Sequence, residues 1–342
     1  MKSYIISSGN VPSEMRLYGL LDDLTRMPRD VAATVSPAVE SISRCPTGGR
    51  VRFISDSSRI TLRVTLKNAE CNSGCGVLCD GEDIGLVRGG DDDTFYEGTL
   101  EVGGEGEHLF TVFAPRTAPL AQMEILLDDD ATVRRAPDYE IECPIVFYGS
   151  SITQGAVSSS PARSYSALVA ERMGANHINL GFGGNAKGEI EMAQYIASLE
   201  MSAFVMEYDD NADTLEDLRR THKPFFDTVR RAHPKTPILI LSRPDTDREF
   251  VRSCYCRRII MDTFHAALDD GDRMVDYVDG FYLWGSENRA ECTSDDKSHP
   301  TEYGSRVMAS VIAPRLRSLM NRDPNMSART PDGELCDFST VI

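Results

Sequence analysis

Ser151 comes directly after Ile145-Val146-Phe147-Tyr148-Gly149-Ser150, an apolar run of strand type that breaks at a glycine. A serine hydroxyl is a weak nucleophile until a base takes its proton, and the base needs a third group to fix its tautomer. Far downstream, Asp296-Lys297-Ser298-His299-Pro300 offers both groups. His299 is the candidate base, and Asp296, three residues earlier, is a carboxylate close enough to accept from the imidazole Nδ1–H. Together the three residues are the ingredients of serine hydrolysis.

Six histidines occur in the chain, and only His299 combines such a carboxylate with a place just before a helix, where Pro300 suits the first turn. His233-Pro234 repeats the dipeptide without an acid three residues before it. His177, His222 and His265 read as lying in or beside helices and His108 as part of a β-rich region, all in structural roles. A tetrahedral intermediate also needs donors aimed at its oxyanion. Candidates are the Ser151 N–H, an N–H within Gly181-Phe182-Gly183-Gly184-Asn185, and the Asn211 amide in Glu207-Tyr208-Asp209-Asp210-Asn211-Ala212. The glycines allow backbone to approach a ligand closely.

Two kinds of pattern position these residues. Up to about residue 140 the chain reads as short strands between turns, among them Val51 to Ile54, Ile60 to Leu66, Gly76 to Cys79, Phe95 to Leu100, His108 to Phe113 and Met123 to Leu127. Alternating apolar and polar residues and Gly/Asp-rich spacers predict an antiparallel β-sandwich, jelly-roll-like, over residues 1–139. Near Pro137 the pattern changes to apolar runs alternating with helical stretches, from Ile145 to a last helix over Thr301 to Met320. That alternation predicts an α/β domain over residues 140–325 with a parallel sheet covered on both faces, followed by a tail over residues 326–342. Ligands of such sheets bind at the carboxyl ends of strands. Ser151, Gly184 and the segment from Tyr208 to Asn211 each fall just past one.

Composition narrows the partners. The 342 residues carry a formal charge of -17, which repels phosphate backbones and anionic lipid, so nucleic acid and membrane are poor expectations. Without an apolar run of secretory or spanning length, a cytoplasmic protein is expected. Nine cysteines scattered through strand-like and helix-like segments fit reduced thiols rather than a disulfide framework. Cys71, Cys75 and Cys79 have a spacing that matches no zinc or iron–sulfur pattern, and Gly181 to Gly188 lacks the order of a phosphate loop. The acidic runs Asp91 to Asp93 and Asp128 to Asp130 read as solvated turns, while Arg243-Pro244-Asp245 is either pocket lining or surface loop. Neither metal nor cofactor is expected.

Taken together, Gly-Ser-Ser-Ile-Thr at Ser151, the Gly-rich turn after Asn179-Leu180, the Asn-bearing loop after the third strand and Asp-x-x-His-Pro resemble the four signature blocks of the SGNH (GDSL-like) hydrolases. The resemblance covers residues 140 to 320. It implies a flavodoxin-like three-layer α/β/α fold and metal-free hydrolysis of acyl esters. It makes Ser151 the nucleophile, Gly184 and Asn211 oxyanion donors beside the Ser151 N–H, His299 the base and Asp296 its orienter. Two blocks depart from the family pattern. Ser150 stands where Asp is usual, and Tyr-Asp-Asp-Asn-Ala replaces Gly-x-Asn-Asp, which leaves Asn211, Asp209 or Asp210 for the third-block position. Members with an N-terminal β-sandwich are similar to carbohydrate esterases that remove acetyl groups from sugars. A small-molecule or glycan ester is therefore the expected substrate; the alternative is an inactive carbohydrate-binding or scaffold protein on the same fold.

Overall fold

The computed structural model describes residues 1–68, 73–287 and 289–322. In the first part run β1 (Lys2–Ser7), β2 (Arg16–Tyr18), α1 (Arg29–Val35), α2 (Pro37–Ser43), β3 (Arg50–Ser55), β4 (Arg59–Leu66), β5 (Cys75–Cys79), β6 (Glu82–Val87), β7 (Phe95–Glu101), β8 (His108–Phe113), β9 (Leu120–Leu127) and β10 (Val133–Arg135). They form two antiparallel sheets, ordered β1-β9-β4-β7 and β10-β3-β8-β5-β6, with β2 added beside β3. Strand β4 shows why: Ile60, Leu62, Val64 and Leu66 are buried while Arg59, Arg63 and Thr65 face water, the two-residue period of a sheet with one wet face. Its apolar side meets Val51, Phe53, Val77, Phe110 and Val112 of the other sheet in one core.

Two features of this part were not legible as strands and turns. Helices α1 and α2 are seven residues each, too short for a helical period to emerge from local sequence. The cap is nonetheless readable: the Ser36 side chain accepts from the Val39 N–H and Pro37 opens α2, a favoured N-terminal pairing. Met27, Ala32 and Val39 pack not into the β core but against Leu180, Phe182 and Met192 of the second part. Cys75 and Cys79 are buried in β5; Cys71 and the tail over residues 326–342 lie outside the described residues.

The second part holds β11 (Ile141–Gly149), α3 (Ser151–Gln154), α4 (Tyr165–Met173), β12 (Ala175–Gly181), α5 (Ile190–Ala197), β13 (Ala203–Glu207), α6 (Leu215–Ala232), β14 (Ile238–Leu241), α7 (Phe250–Asp269), β15 (Val275–Val278), α8 (Gly280–Leu283), α9 (Arg289–Cys292) and α10 (Glu302–Met320). The five strands are parallel in the order β12-β11-β13-β14-β15, the flavodoxin-like arrangement. Val146, Tyr148, Phe204, Met206, Ile238 and Ile240 face α5, α6 and α7. Ile145, Phe147, Ala203, Val205, Leu239 and Leu241 face α4 and α10. Burial on both sides is why these strands read as unbroken apolar runs. The run Ile178-Asn179-Leu180 falls in β12 as its pattern predicts, but the strand starts earlier and His177 lies inside it, not beside a helix; Asn176 there accepts from Arg50 of the first part. Among the described residues no helix is long and apolar enough to cross a membrane.

Candidate active site

Strand β11 ends at Gly149, where a Cβ would lie 2.0 Å from the Glu207 carbonyl oxygen, so only glycine lets the chain turn there. Ser150 then caps α3: its Oγ accepts from the Ile152 N–H at 3.1 Å and its hydroxyl donates to the Glu207 carboxyl at 2.9 Å. Ser151 is thereby the first residue of α3, the position whose N–H has no acceptor within the helix. Gly155 closes this short helix with φ +82°, and a Cβ there would meet Ser164 Cβ at 2.5 Å.

His299 arrives on the loop before α10. An antiparallel bridge joins Thr293 and Pro300, and the Ser294 N–H donates to the His299 carbonyl at 2.8 Å. Asp296 Oδ1 accepts from the Ser294 hydroxyl at 2.7 Å, the Ser298 N–H at 2.8 Å and the His299 N–H at 3.0 Å. Asp296 Oδ2 pairs with His299 Nδ1 at 2.5 Å, and His299 Nε2 lies 2.7 Å from Ser151 Oγ. Burial works against ionisation of Asp296, but the hydrogen bonds from His299, Ser294 and Ser298 outweigh it and hold the carboxyl well below the usual range. Asp296 is thus an anion facing an imidazole whose other nitrogen faces a serine hydroxyl.

The Gly-rich turn lies against this group. A Cβ on Gly183 would sit 3.1 Å from Ser151 Cβ, and the Gly183 N–H donates to Gln154 Oε1 at 2.8 Å. Gly184 has φ +70° with open space where a Cβ would stand, and no hydrogen bond of its N–H occurs among the described residues. Asn211, buried, donates through Nδ2 to the Phe182 carbonyl at 3.0 Å, which leaves its second amide hydrogen free of that bond. Its two acidic neighbours point elsewhere: Asp209 Oδ1 accepts from the Arg243 N–H at 3.1 Å, and Asp210 pairs with Arg243 and Arg248. Of the three third-block candidates, Asn211 is the one bonded to the Gly-rich turn.

Glu207 was not foreseen from sequence, although a charged residue closing the apolar run Phe204-Val205-Met206 was the available signal. Its carboxyl takes the Ser150 and Thr153 hydroxyls, the latter at 2.9 Å. Burial first, then Asp209 and Asp210, push its pKa well above the usual carboxylate value. Asp209 rises to about 7 through burial, opposed by Arg243. Arg243 and Asp245 form a buried ion pair at 2.9 Å, not a surface loop. Asp245 also lines a cavity of about 630 Å³ with Trp284, Arg289, Thr293 and Lys297. Three other histidines are engaged or secluded: His222 Nδ1 pairs with Thr263 Oγ1 at 2.8 Å, His233 Nε2 with the Ala197 carbonyl at 3.0 Å, and His177 is buried in β12; His265 is exposed on α7. Cys79, Asp80 and His108 cluster closely enough to suit a metal, yet Asp80 is occupied by His108 Nδ1 at 2.7 Å and the Leu109 N–H at 2.8 Å.

A parallel sheet ordered in this way, with a serine just past the end of its first strand, β11, facing an Asp–His loop, defines a hydrolase of the SGNH type. The model of the GDSL-like lipase/acylhydrolase family matches residues 142–317, more than half of the chain, and the chain belongs to this family of ester hydrolases. A second model, the "N-terminus of Esterase_SGNH_hydro-type", matches residues 16–75. Among solved structures, the chain is similar to one from Bacteroides ovatus assigned to the GDSL-like lipases, with TM-score 0.80, 22% identity and coverage of 93% of this chain and 98% of that one. It is similar to the salicylyl-acyltransferase SsfX3 of a tetracycline biosynthetic pathway, with TM-score 0.75, 22% identity and coverage of 93% and 97%. A family two carbohydrate esterase from Clostridium thermocellum is also similar, with TM-score 0.63, 18% identity and coverage of 80% and 92%. No protein of curated function matches in sequence.

Proposed function

We propose that the chain is a serine esterase whose catalytic group is Ser151, His299 and Asp296. The observation that carries this reading is the unbroken relay from Asp296 through His299 to Ser151, with contacts of 2.5 and 2.7 Å. Ser151 Oγ attacks the acyl carbonyl while His299 Nε2 takes its proton, and Asp296 stabilises the imidazolium that forms. The oxyanion faces the Ser151 and Gly184 N–H groups and the Asn211 amide, donors fixed before the charge develops. Collapse returns the proton from His299 to the departing alcohol. Water, activated by the same imidazole, then attacks the acyl-enzyme, and the carboxylic acid leaves as Ser151 regains its proton. No step calls on a metal.

For substrate we propose small acyl esters, acetyl foremost, on carbohydrate. The likeness to a carbohydrate esterase and the β-sheet region ahead of the hydrolase part support this choice. The test is a fluorophosphonate adduct mapped by peptide mass spectrometry, with acetate release from acetylated sugars measured next. A single adduct on Ser151, absent in Ser151→Ala and in His299→Ala, is expected. Well-folded parent protein that takes no adduct would overturn the esterase reading in favour of a binding protein.

A further inference from the structure

Strand β12 is an edge of the parallel sheet, so every second carbonyl on its outer side lacks a strand to pair with. Three such carbonyls in succession, at His177, Asn179 and Gly181, are taken by arginines from the first fifty residues of the chain. Arg50 Nη1 donates to the His177 carbonyl at 3.1 Å. Arg26 Nη1 donates to the Asn179 carbonyl at 3.2 Å and the Gly181 carbonyl at 2.7 Å. Through Nη2, Arg26 also reaches back to the Ile42 carbonyl at 2.8 Å. Its guanidinium lies over the Phe182 ring, 4.6 Å from the centroid.

Arg26 is 2% exposed and has no carboxylate ion pair among the described residues. Burial lowers its pKa to about 10, so it remains a cation at neutral pH. A buried unpaired cation is costly and persists where oriented dipoles compensate it; here the compensation comes from the carbonyls at the end of β12. From Gly181 the chain passes directly into the Gly-rich turn. Arg26 grips the turn at the Gly181 carbonyl and the Phe182 ring, Asn211 grips the Phe182 carbonyl, and Gln154 grips the Gly183 N–H. With these three holds in place, and with Asn185 Nδ2 donating to the Gly183 carbonyl of the same peptide at 2.8 Å, the direction of the next N–H, that of Gly184, is set.

We propose that Arg26 is a positioning residue for the oxyanion turn, an arginine supplied from outside the hydrolase part that aims the Gly184 N–H at the reacting carbonyl. This rests on the esterase reading. Arg50 provides the comparison, because it covers the same strand edge four residues earlier without touching the turn.

The experiment measures kcat, KM and thermal midpoint for Arg26→Met, Arg26→Lys and Arg50→Met on an aryl acetate, with rates expressed per folded protein. Arg26→Met is expected to lose about 10- to 100-fold in kcat with KM nearly unchanged, the scale of a misplaced catalytic donor. Arg26→Lys, whose ammonium still reaches one carbonyl, is expected to recover part of that loss. Arg50→Met is expected to lower the thermal midpoint while keeping kcat within about twofold of the parent, since it sits away from the turn. Equal kcat losses in Arg26→Met and Arg50→Met, or an Arg26→Met with parental kcat, would reduce Arg26 to edge cover. Should Arg26→Met fail to fold, Arg26→Lys decides: a several-fold lower kcat at constant KM supports the role, and parental kcat removes it. A parent enzyme inert to both ester and fluorophosphonate overturns the esterase reading and this inference with it. An active parent with unaffected Arg26 variants overturns this inference alone.

Discussion

Ser150, in the position beside the proposed nucleophile, hands its hydroxyl to Glu207, so the carboxyl of this pair sits on the neighbouring strand. The serine, histidine and aspartate were legible in sequence because a strand end marks the first and a three-residue spacing joins the other two. Glu207 and Arg26 were not, since their partners lie 57 and 155 positions away along the chain. Asp296→Asn keeps the shape of the loop but removes the anion that fixes the His299 tautomer, and is expected to lower kcat by about 10⁴. Steady-state kinetics on an aryl acetate checks this. Asp209 gives a prediction about pH. Its folded pKa is about 7 against an ordinary 3.8, so between these values the folded state keeps a proton that the unfolded chain has released. Stability from this group is therefore full below about pH 4, falls as pH rises to about 7, and is level above. Asp209→Asn, which retains the acceptor for the Arg243 N–H, is expected to match the parent near pH 4 and exceed it at about pH 8. Urea midpoints across that range give the comparison, and parallel curves would assign the slope to other groups.

At the scale of elements, the site depends on how closely α3 lies on the end of β12. A Cβ at Gly181 would come within 2.2 Å of the Gln154 nitrogen and 2.7 Å of the Thr153 carbonyl carbon, both backbone atoms that cannot swing aside. Gly181→Ala is therefore expected to push α3 outward and draw Ser151 away from His299. A fall of about 10²-fold or more in kcat with an unchanged far-UV circular dichroism spectrum is the expected result; parental kcat would show that the turn absorbs the methyl group. Sequence pattern located β11, β13, β14 and β15 because strands buried on both faces are continuously apolar, and it located the end of β12 at Ile178 to Leu180. It misassigned His177 in β12, whose polar residues serve contacts invisible from local sequence. One is the bond from Arg50 to the Asn176 side chain at 2.7 Å, across 126 residues.

At the scale of the molecule, the two parts are less separable than two runs of sequence pattern suggest. Met27, Ala32 and Val39 complete the core on one face of the parallel sheet, and Arg163 of the hydrolase part pairs with Asp83 of the edge strand β6 at 2.8 Å. A chain of residues 140 to 342 alone would expose Leu180, Phe182 and Met192 and leave the β12 carbonyls uncovered. It is expected to bind a hydrophobic dye and to lack a cooperative thermal transition. A sharp transition with a Ser151 adduct in that fragment would show the hydrolase part to be self-sufficient.

On the proposed mechanism, nucleophile and base stand 148 positions apart along the chain, and that separation has a consequence in time. During synthesis the Ser151 turn and its oxyanion donors leave the ribosome well before the loop bearing His299. Until that loop emerges, Ser151 is an ordinary alcohol without a base to draw its proton. On the proposed chemistry, the growing chain passes through the crowded surroundings of the ribosome unable to take an acyl group from an ester, and turnover begins only when the loop has closed onto the finished sheet.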